Sequence, residues 1–285
     1  MDRHEGRPRL ALALGSGGLR GMAHIGVLRA LEEAEIRPTL YAGSSAGALV
    51  AAAAAHGIGL ADLEAIADRL WRKPLFQVDF VSLLRRGFRT PGVYRSAPLK
   101  GLCDELFGEV TFRQLRTSLV VSSVDIESGA PLCWGAASLP DVPVADAVYA
   151  SCAMPGLLPP GLVGGRLCMD GAVVDPLALR AVAPLADVVI AVVLEDIPAS
   201  RTVGSDAAHA LWLHAQGIAT RHLARHTLDR WEGPPLLLVR PQLRGVHPLR
   251  GGDPHAMIQA GYEAARTVLD RWDRYAVSVD DVTIF

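Results

Sequence analysis

The sequence predicts an α/β fold with a mostly parallel central sheet flanked by helices. Three observations predict it. Leu10–Leu14, "LALAL", is short and apolar throughout, like a strand buried on both faces. A helical segment over Met22–Ala34, a strand over Thr39–Gly43 and an alanine-rich helix over Ala46–Ala55 follow in turn. That βαβα order within about fifty residues requires parallel strands joined by right-handed crossovers. Asp187–Glu195, "DVVIAVVLE", adds another apolar run of strand length.

In Met22–Ala34, Leu28 and Leu31 lie one turn apart and Glu32 and Glu33 close the segment, a pattern of a largely buried helix. Ala61–Trp71 is helical in pattern. Lys73–Gly101 mixes Pro, Gly and Arg with large apolar residues and reads as an excursion over the sheet edge, a lid. Ser118–Ile126 is a strand. The segment from Val144 begins as a helix and breaks at Pro155, Pro159 and Pro160. "GGRLCMDGAVVDP" is a short strand that ends in a turn at Asp170–Gly171. Ser205–Trp231 is a long helix, "PLLLVRP" a last strand and Ala256–Tyr275 a closing helix. There is no internal repeat, and only Pro198–Gly204 resembles a linker. The expected organisation is a polar tail over 1–9 and a single domain over 10–285, with motifs in 10–184 and C-terminal strands and helices in 185–285.

Half of the 285 residues are hydrophobic, so a substantial core can be buried. A net charge of −2 without a long basic block argues against nucleic acid as a partner. Cys103, Cys133, Cys152 and Cys168 are scattered, which fits reduced thiols and a cytoplasmic setting. Leu10–Leu14 is too short for the core of a signal peptide. Thr39–Ala61 carries no Asp, Glu, Lys or Arg, but Gly43, Gly47, Gly57 and Gly59 interrupt it, so a buried strand–turn–helix is expected rather than a transmembrane span.

Two segments carry candidate chemistry. Gly43-Ser44-Ser45-Ala46-Gly47 fits G-x-S-x-G with Ser45, not Ser44, at its centre. A nucleophile between a strand end and a helix start sits on a strained turn, and small residues two before and two after let strand and helix approach. Ser45 would also face the N–H groups of the helix start, which favour developing negative charge. The second segment, "GSGGLRG" (Gly15–Gly21), follows the first strand. It lacks the Gly-Lys-Ser/Thr of a phosphate-binding P-loop. As a dinucleotide fingerprint from Gly15 it has Arg20 where glycine belongs, and no acidic residue ends the second strand. A third reading makes the Gly17 and Gly18 N–H groups an oxyanion hole. Adjacent parallel strands would set both turns at one sheet edge, which favours that reading.

A serine nucleophile needs a proton acceptor, usually histidine held by aspartate. His24 lies on the first helix as a packed polar residue. His209, His214, His222 and His226 follow the long C-terminal helix as a solvated face, and no acidic ligand completes a metal set with His222 and His226. His247 and His255 are the only histidines placed late enough for a triad by chain order.

"GSGGLRG", "GSSAG" and "DGA" (Asp170–Ala172), in that order, resemble the three signatures of patatin-like phospholipases, as do the connecting segments "HIGVL" and "ASCAMPGLLPP". The resemblance runs from about Leu10 to Pro176. It implies a three-layer patatin-like fold and lipid acyl hydrolysis by a Ser–Asp dyad. Ser45 would be the nucleophile, Asp170 the base, and Gly17 and Gly18 the oxyanion hole, with Gly15, Arg20, Gly21, Gly43, Gly47 and Gly171 supporting the motifs. Neither metal nor organic cofactor is implied. The expected substrate is a phospholipid, lysophospholipid or other fatty acyl ester, and the expected surroundings include peripheral membrane contact. Ala172 stands where many relatives have glycine. Cys152 stands where many have serine and reads as packing. The alternatives are an α/β-hydrolase triad using His247 or His255, an acyltransferase, and a non-catalytic nucleotide-binding regulator.

Overall fold

The computed structural model describes residues 8–73, 75–136, 141–194 and 208–275. Most of the expected tail and the linker-like Pro198–Gly204 therefore lie outside the described residues. Strands β1 (Leu10–Leu14), β2 (Leu40–Ser44), β3 (Ser118–Asp125), β7 (Val188–Val192) and β8 (Leu236–Val239) form a parallel array in the order β3-β2-β1-β7-β8. Three further strands join through antiparallel pairings: β4 (Pro131–Gly135) and β6 (Arg166–Asp170) each pair with β3, and β5 (Gly161–Val163) pairs with β6. The helices are α1 (Ala23–Glu33), α2 (Ala46–His56), α3 (Leu60–Arg72), α4 (Phe80–Arg86), α5 (Ala97–Phe107), α6 (Val144–Cys152), α7 (Ala208–Asp229) and α8 (Pro254–Tyr275).

The sheet is covered on both faces, which is why its strands read as continuous apolar runs. Successive side chains point to opposite faces. Leu12 and Leu14 of β1 pack in one core with α1, α2, α5 and α6, while Ala11 and Ala13 pack in the other against Leu177–Val182 and Ala224 of α7. The segment after β6 can lie close to the sheet because that face presents small residues. On the larger face α8 crosses α1 at Gly26 and Gly261, where an added Cβ would collide with the facing backbone at Ile258 and at Ala23.

The register positions the site. Residues Val120–Ser122 of β3 pair with both β2 and β4, so these two strands occupy opposite edges of β3. Ser123 and Val124 pair with both β4 and β6, so β6 lies on the edge that β2 has just left. β2 ends at Ser44 opposite Ser122, and β6 ends at Asp170 opposite Ser123. Two antiparallel strands thus meet end to end along β3, and the residues at their meeting point are Ser45 and Asp170.

The expected elements of the first fifty residues form within a residue or two of the expected bounds. The expected strand Asp187–Glu195 is shorter, Val188–Val192, and Glu195 lies outside the described residues. Lys73–Gly101 leaves the sheet as expected and contains α4, none of whose residues is buried. The sequence reading passes over α5, although Leu99, Leu102, Cys103 and Leu106 recur at helical spacing with Pro98 in the first turn.

Candidate active site

Ser45 caps the start of α2 with φ 55° and ψ −125°, a conformation that L-residues rarely adopt and that costs roughly 1–3 kcal/mol. Several contacts over-determine it. Its N–H donates to Ser151 Oγ of α6 at 2.9 Å. Its carbonyl accepts from Ala48 N and Leu49 N at 2.9 and 3.3 Å. Gly43 lies against Gly47 and Ala48, and Gly47 against the Leu14 carbonyl, so neither has room for a Cβ. Ser44, by contrast, is fully buried, and its hydroxyl has no partner among the described residues. Ser45 is also buried, 6% exposed, but it is the elbow serine that lines the cavity.

Ser45 Oγ donates to Asp170 Oδ2 at 2.7 Å. The other carboxylate oxygen, Oδ1, accepts from Ala172 N at 2.8 Å, which fixes the plane of the group. Asp170 is 1% exposed. Burial raises its pKa to about 7, and the hydrogen bonds from Ala172 and Ser45 oppose that rise. Gly171 is tight against Ser122, so the turn after Asp170 excludes a side chain there.

The glycine loop reaches the same edge. Gly15 N donates to Val192 O, Ser16 N to Pro176 O and Leu19 N to Pro248 O. The N–H groups of Gly17 and Gly18 between them bond to no described residue. Gly18 has φ +59° and lies against Pro248 O. Arg20 is buried, and its Nε donates to Gly17 O at 3.2 Å, holding the loop closed. Gly21 touches Ala46, joining the loop to the elbow.

No described histidine hydrogen-bonds to Ser45 or Asp170. His24 is fully buried with Nε2 2.8 Å from Gly15 O, and burial lowers its pKa to about 4. It is the packed polar residue expected, and it also anchors the loop as a neutral ring. His247 Nδ1 accepts from Leu249 N and Arg250 N at 3.1 and 3.3 Å, shaping the turn that touches Gly18. His255 Nε2 lies 3.3 Å from Asp68 Oδ1 on the protein surface. His214, His222 and His226 are exposed along α7, while the side chain of His209 lies outside the described residues.

A narrow cavity of about 90 Å³ lies beside Ser45, lined by residues including Leu49, Ala53, Leu99, Leu157 and Leu249. Apart from Ser45 and Cys152, its lining side chains are apolar. Two lining contributions were not expected. Leu249, next to the Pro248 that lies against Gly18, comes from the C-terminal third, in a loop without a motif. Cys152 packs against the core, as expected, and it also lines the cavity beside Ser45. Burial pushes that thiol well above its ordinary pKa, with Cys103 and Asp170 adding to the rise and a hydrogen bond with Ser45 opposing it. It is a neutral thiol, not a competing thiolate nucleophile.

Comparison with known proteins places the chain. The family model for patatin-like phospholipase matches residues 12–183. An uncharacterised NTE family protein of Mycobacterium tuberculosis is 34% identical over 235 residues, covering 80% of this chain and 62% of that protein. A triacylglycerol lipase of Schizosaccharomyces pombe is 31% identical over 163 residues, covering 52% of this chain and 33% of that protein. Among solved structures, VipD from Legionella pneumophila aligns over 93% of this chain and 67% of that one, with a TM-score of 0.48 and 14% identity. The chain thus spans less than two thirds of the curated relatives it matches. With the family model covering more than half of its residues, the chain belongs to the patatin-like phospholipase family.

Proposed function

We propose that this chain is a serine hydrolase that cleaves carboxylic esters of lipids through a Ser45–Asp170 dyad. One observation carries the reading: the Ser45 hydroxyl, held on a strained elbow beside an apolar cavity, donates to a buried carboxylate at 2.7 Å. Asp170 takes the Oγ proton as Ser45 attacks the ester carbonyl. The unpaired N–H groups of Gly17 and Gly18 stabilise the oxyanion, each worth about 3 kcal/mol of barrier. Protonated Asp170 then gives its proton to the leaving alkoxide, leaving an acyl-serine and a free alcohol. Water, deprotonated by Asp170, attacks the acyl-serine and releases the fatty acid, and the proton returns to Ser45. The apolar lining suits the acyl part of a phospholipid, lysophospholipid or other fatty acyl ester. Fatty acid release from lysophospholipid and diacyl phospholipid tests the reading, with Ser45→Ala as control. Release by the wild type alone is expected, and no release from either substrate would contradict it.

The carboxyl group sets a pH dependence. The base must be ionised, so kcat/KM for a soluble ester is expected to rise through one ionisation near pH 7 and to fall below it. A flat profile between about pH 5 and 9 would remove Asp170 from the role of base.

The reading extends to a membrane surface. On α4, Phe80, Val81 and Leu84 are 75%, 61% and 90% exposed, and Arg85, Arg86 and Arg89 stand beside them. Val93 N and Tyr94 N, later in the Lys73–Gly101 excursion, donate to Gly156 O and Leu157 O, and Leu157 lines the cavity. Apolar side chains beside arginines suit insertion among anionic lipids, at about 1 kcal/mol per basic residue near the surface. Changing the three arginines to Gln is expected to weaken binding to phosphatidylserine vesicles by about tenfold or more, while turnover of a soluble short-chain ester persists. Equal loss on both substrates would count against a membrane role.

A further inference from the structure

The cavity beside Ser45 has a far wall, and we infer that this wall sets the length of the acyl chain, making esters of about ten-carbon acids the preferred substrates. The inference rests on the ester-hydrolase reading. The cavity follows α2, whose Leu49, Val50 and Ala53 all line it. At a rise of 1.5 Å per residue, Ser45 to Ala53 spans about 12 Å, which holds an extended chain of about ten carbons.

A chain connection and a ring contact fix what stands at the Ala53 end. The chain passes from α2 into α3 over Gly57–Gly59, which brings the lining residues Leu63 and Ile66, in the first two turns of α3, to that end. Phe107, the last residue of α5, packs its ring edge-on against His56, the last residue of α2, with centroids 6.3 Å apart. Leu106, next to Phe107, therefore stands at the same end.

Beyond these residues lies an open surface depression lined by Ile58, Asp62, Ala65, Arg69 and Glu105, together with Ile66 and Leu106. Among the described residues, Ile66 and Leu106 border both spaces, and they form the partition between them. On the solvent side Arg69 and Glu105 form a salt bridge at 2.7 Å. A chain that reached the partition would have to displace both apolar side chains and then emerge beside an ion pair. The cavity volume, about 90 Å³, is several times the roughly 10–15 Å³ that one water needs, in keeping with a single chain.

The test is a series of p-nitrophenyl esters with acyl chains from C4 to C14, each below its aggregation concentration, assayed on the full chain. For the wild type, kcat/KM is expected to rise by up to about fourfold per methylene, reach a maximum near ten carbons and then fall. Ile66→Ala and Leu106→Ala are expected to move the maximum to longer chains. Ala53→Leu, which fills the end, is expected to move it to shorter ones. The position of the maximum does not depend on the folded fraction, and the substitutions act in opposite directions, so one poorly folding variant leaves the test intact. A wild-type profile without a maximum, or one that stays in place in the variants, overturns the inference alone. No hydrolysis at any length, with Ser45 unreactive to a fluorophosphonate, overturns the ester-hydrolase reading and the inference with it.

Discussion

Ser45→Ala and Asp170→Asn are each expected to lower kcat for a soluble ester by about 10⁴-fold or more, and the double variant to lose little beyond either. In the proposed dyad nucleophile and base act as one unit, so removing either is expected to disable both. His247→Ala and His255→Ala are expected to stay within about tenfold of wild type, because in a dyad no histidine relays the proton. Thermal melts separate lost chemistry from lost fold, and the expected sign is distinctive. The folded pKa of Asp170 lies near 7, above the ordinary value of 3.8. The native state therefore holds its proton after the unfolded chain has released it. The stability contributed by this group is fully present below about pH 4 and is lost as the pH rises through about 7. Asp170→Asn removes that loss and is expected to melt higher than wild type at pH 8, with the gap closing at pH 4. An inactive variant more stable than its parent is what a group held against its ionisation preference predicts. A folded, inactive histidine variant beside an active Asp170→Asn would contradict the dyad.

Gly18→Ala is expected to lower kcat by about 10²- to 10³-fold, with a smaller change in KM. The added Cβ meets Pro248 O, and φ +59° is unfavourable for alanine, so the loop must shift and carry the Gly17 and Gly18 N–H groups away from the oxyanion. Gly245→Ala is the matched control. Gly245 has φ +75° with open space around its Cα, so substitution there brings similar backbone strain at a position that touches nothing. It is expected to lower stability by about 1 kcal/mol while kcat stays within about twofold. Equal kcat losses in the two variants would assign the Gly18 effect to strain and remove the loop from the oxyanion role.

The first half of the site was legible in the sequence because its geometry is local. "LALAL", the glycine loop, α1, β2 and the elbow follow one another, and each carries its own periodicity or turn chemistry. Ser45 and its flanking glycines could be read from spacing alone. The far half is not local. Asp170 reaches Ser45 because β6 pairs with only Ser123–Asp125 of β3, and a three-residue antiparallel pairing leaves no pattern in the chain. Its motif placed it in the site through resemblance rather than through physics. Pro248 and Leu249 join from more than two hundred residues away along the chain, in a loop whose composition says only that it turns. That Cys152 lines the cavity as well as packing against the core was not legible, because a helix of nearly uniform apolar character does not declare which face meets a cavity. The partition at Ile66 and Leu106 depends on the seating of α5 against the end of α2, which follows from tertiary packing.

The most direct measurement of the central claim is covalent labelling by a fluorophosphonate at pH 8, with peptide mapping, of the wild type, Ser45→Ala, Asp170→Asn and His247→Ala. The account predicts label on Ser45 in the wild type and in His247→Ala, none in Ser45→Ala, and labelling slowed by orders of magnitude in Asp170→Asn. Label on Ser44, or labelling that survives Asp170→Asn and disappears in a folded His247→Ala, would contradict it.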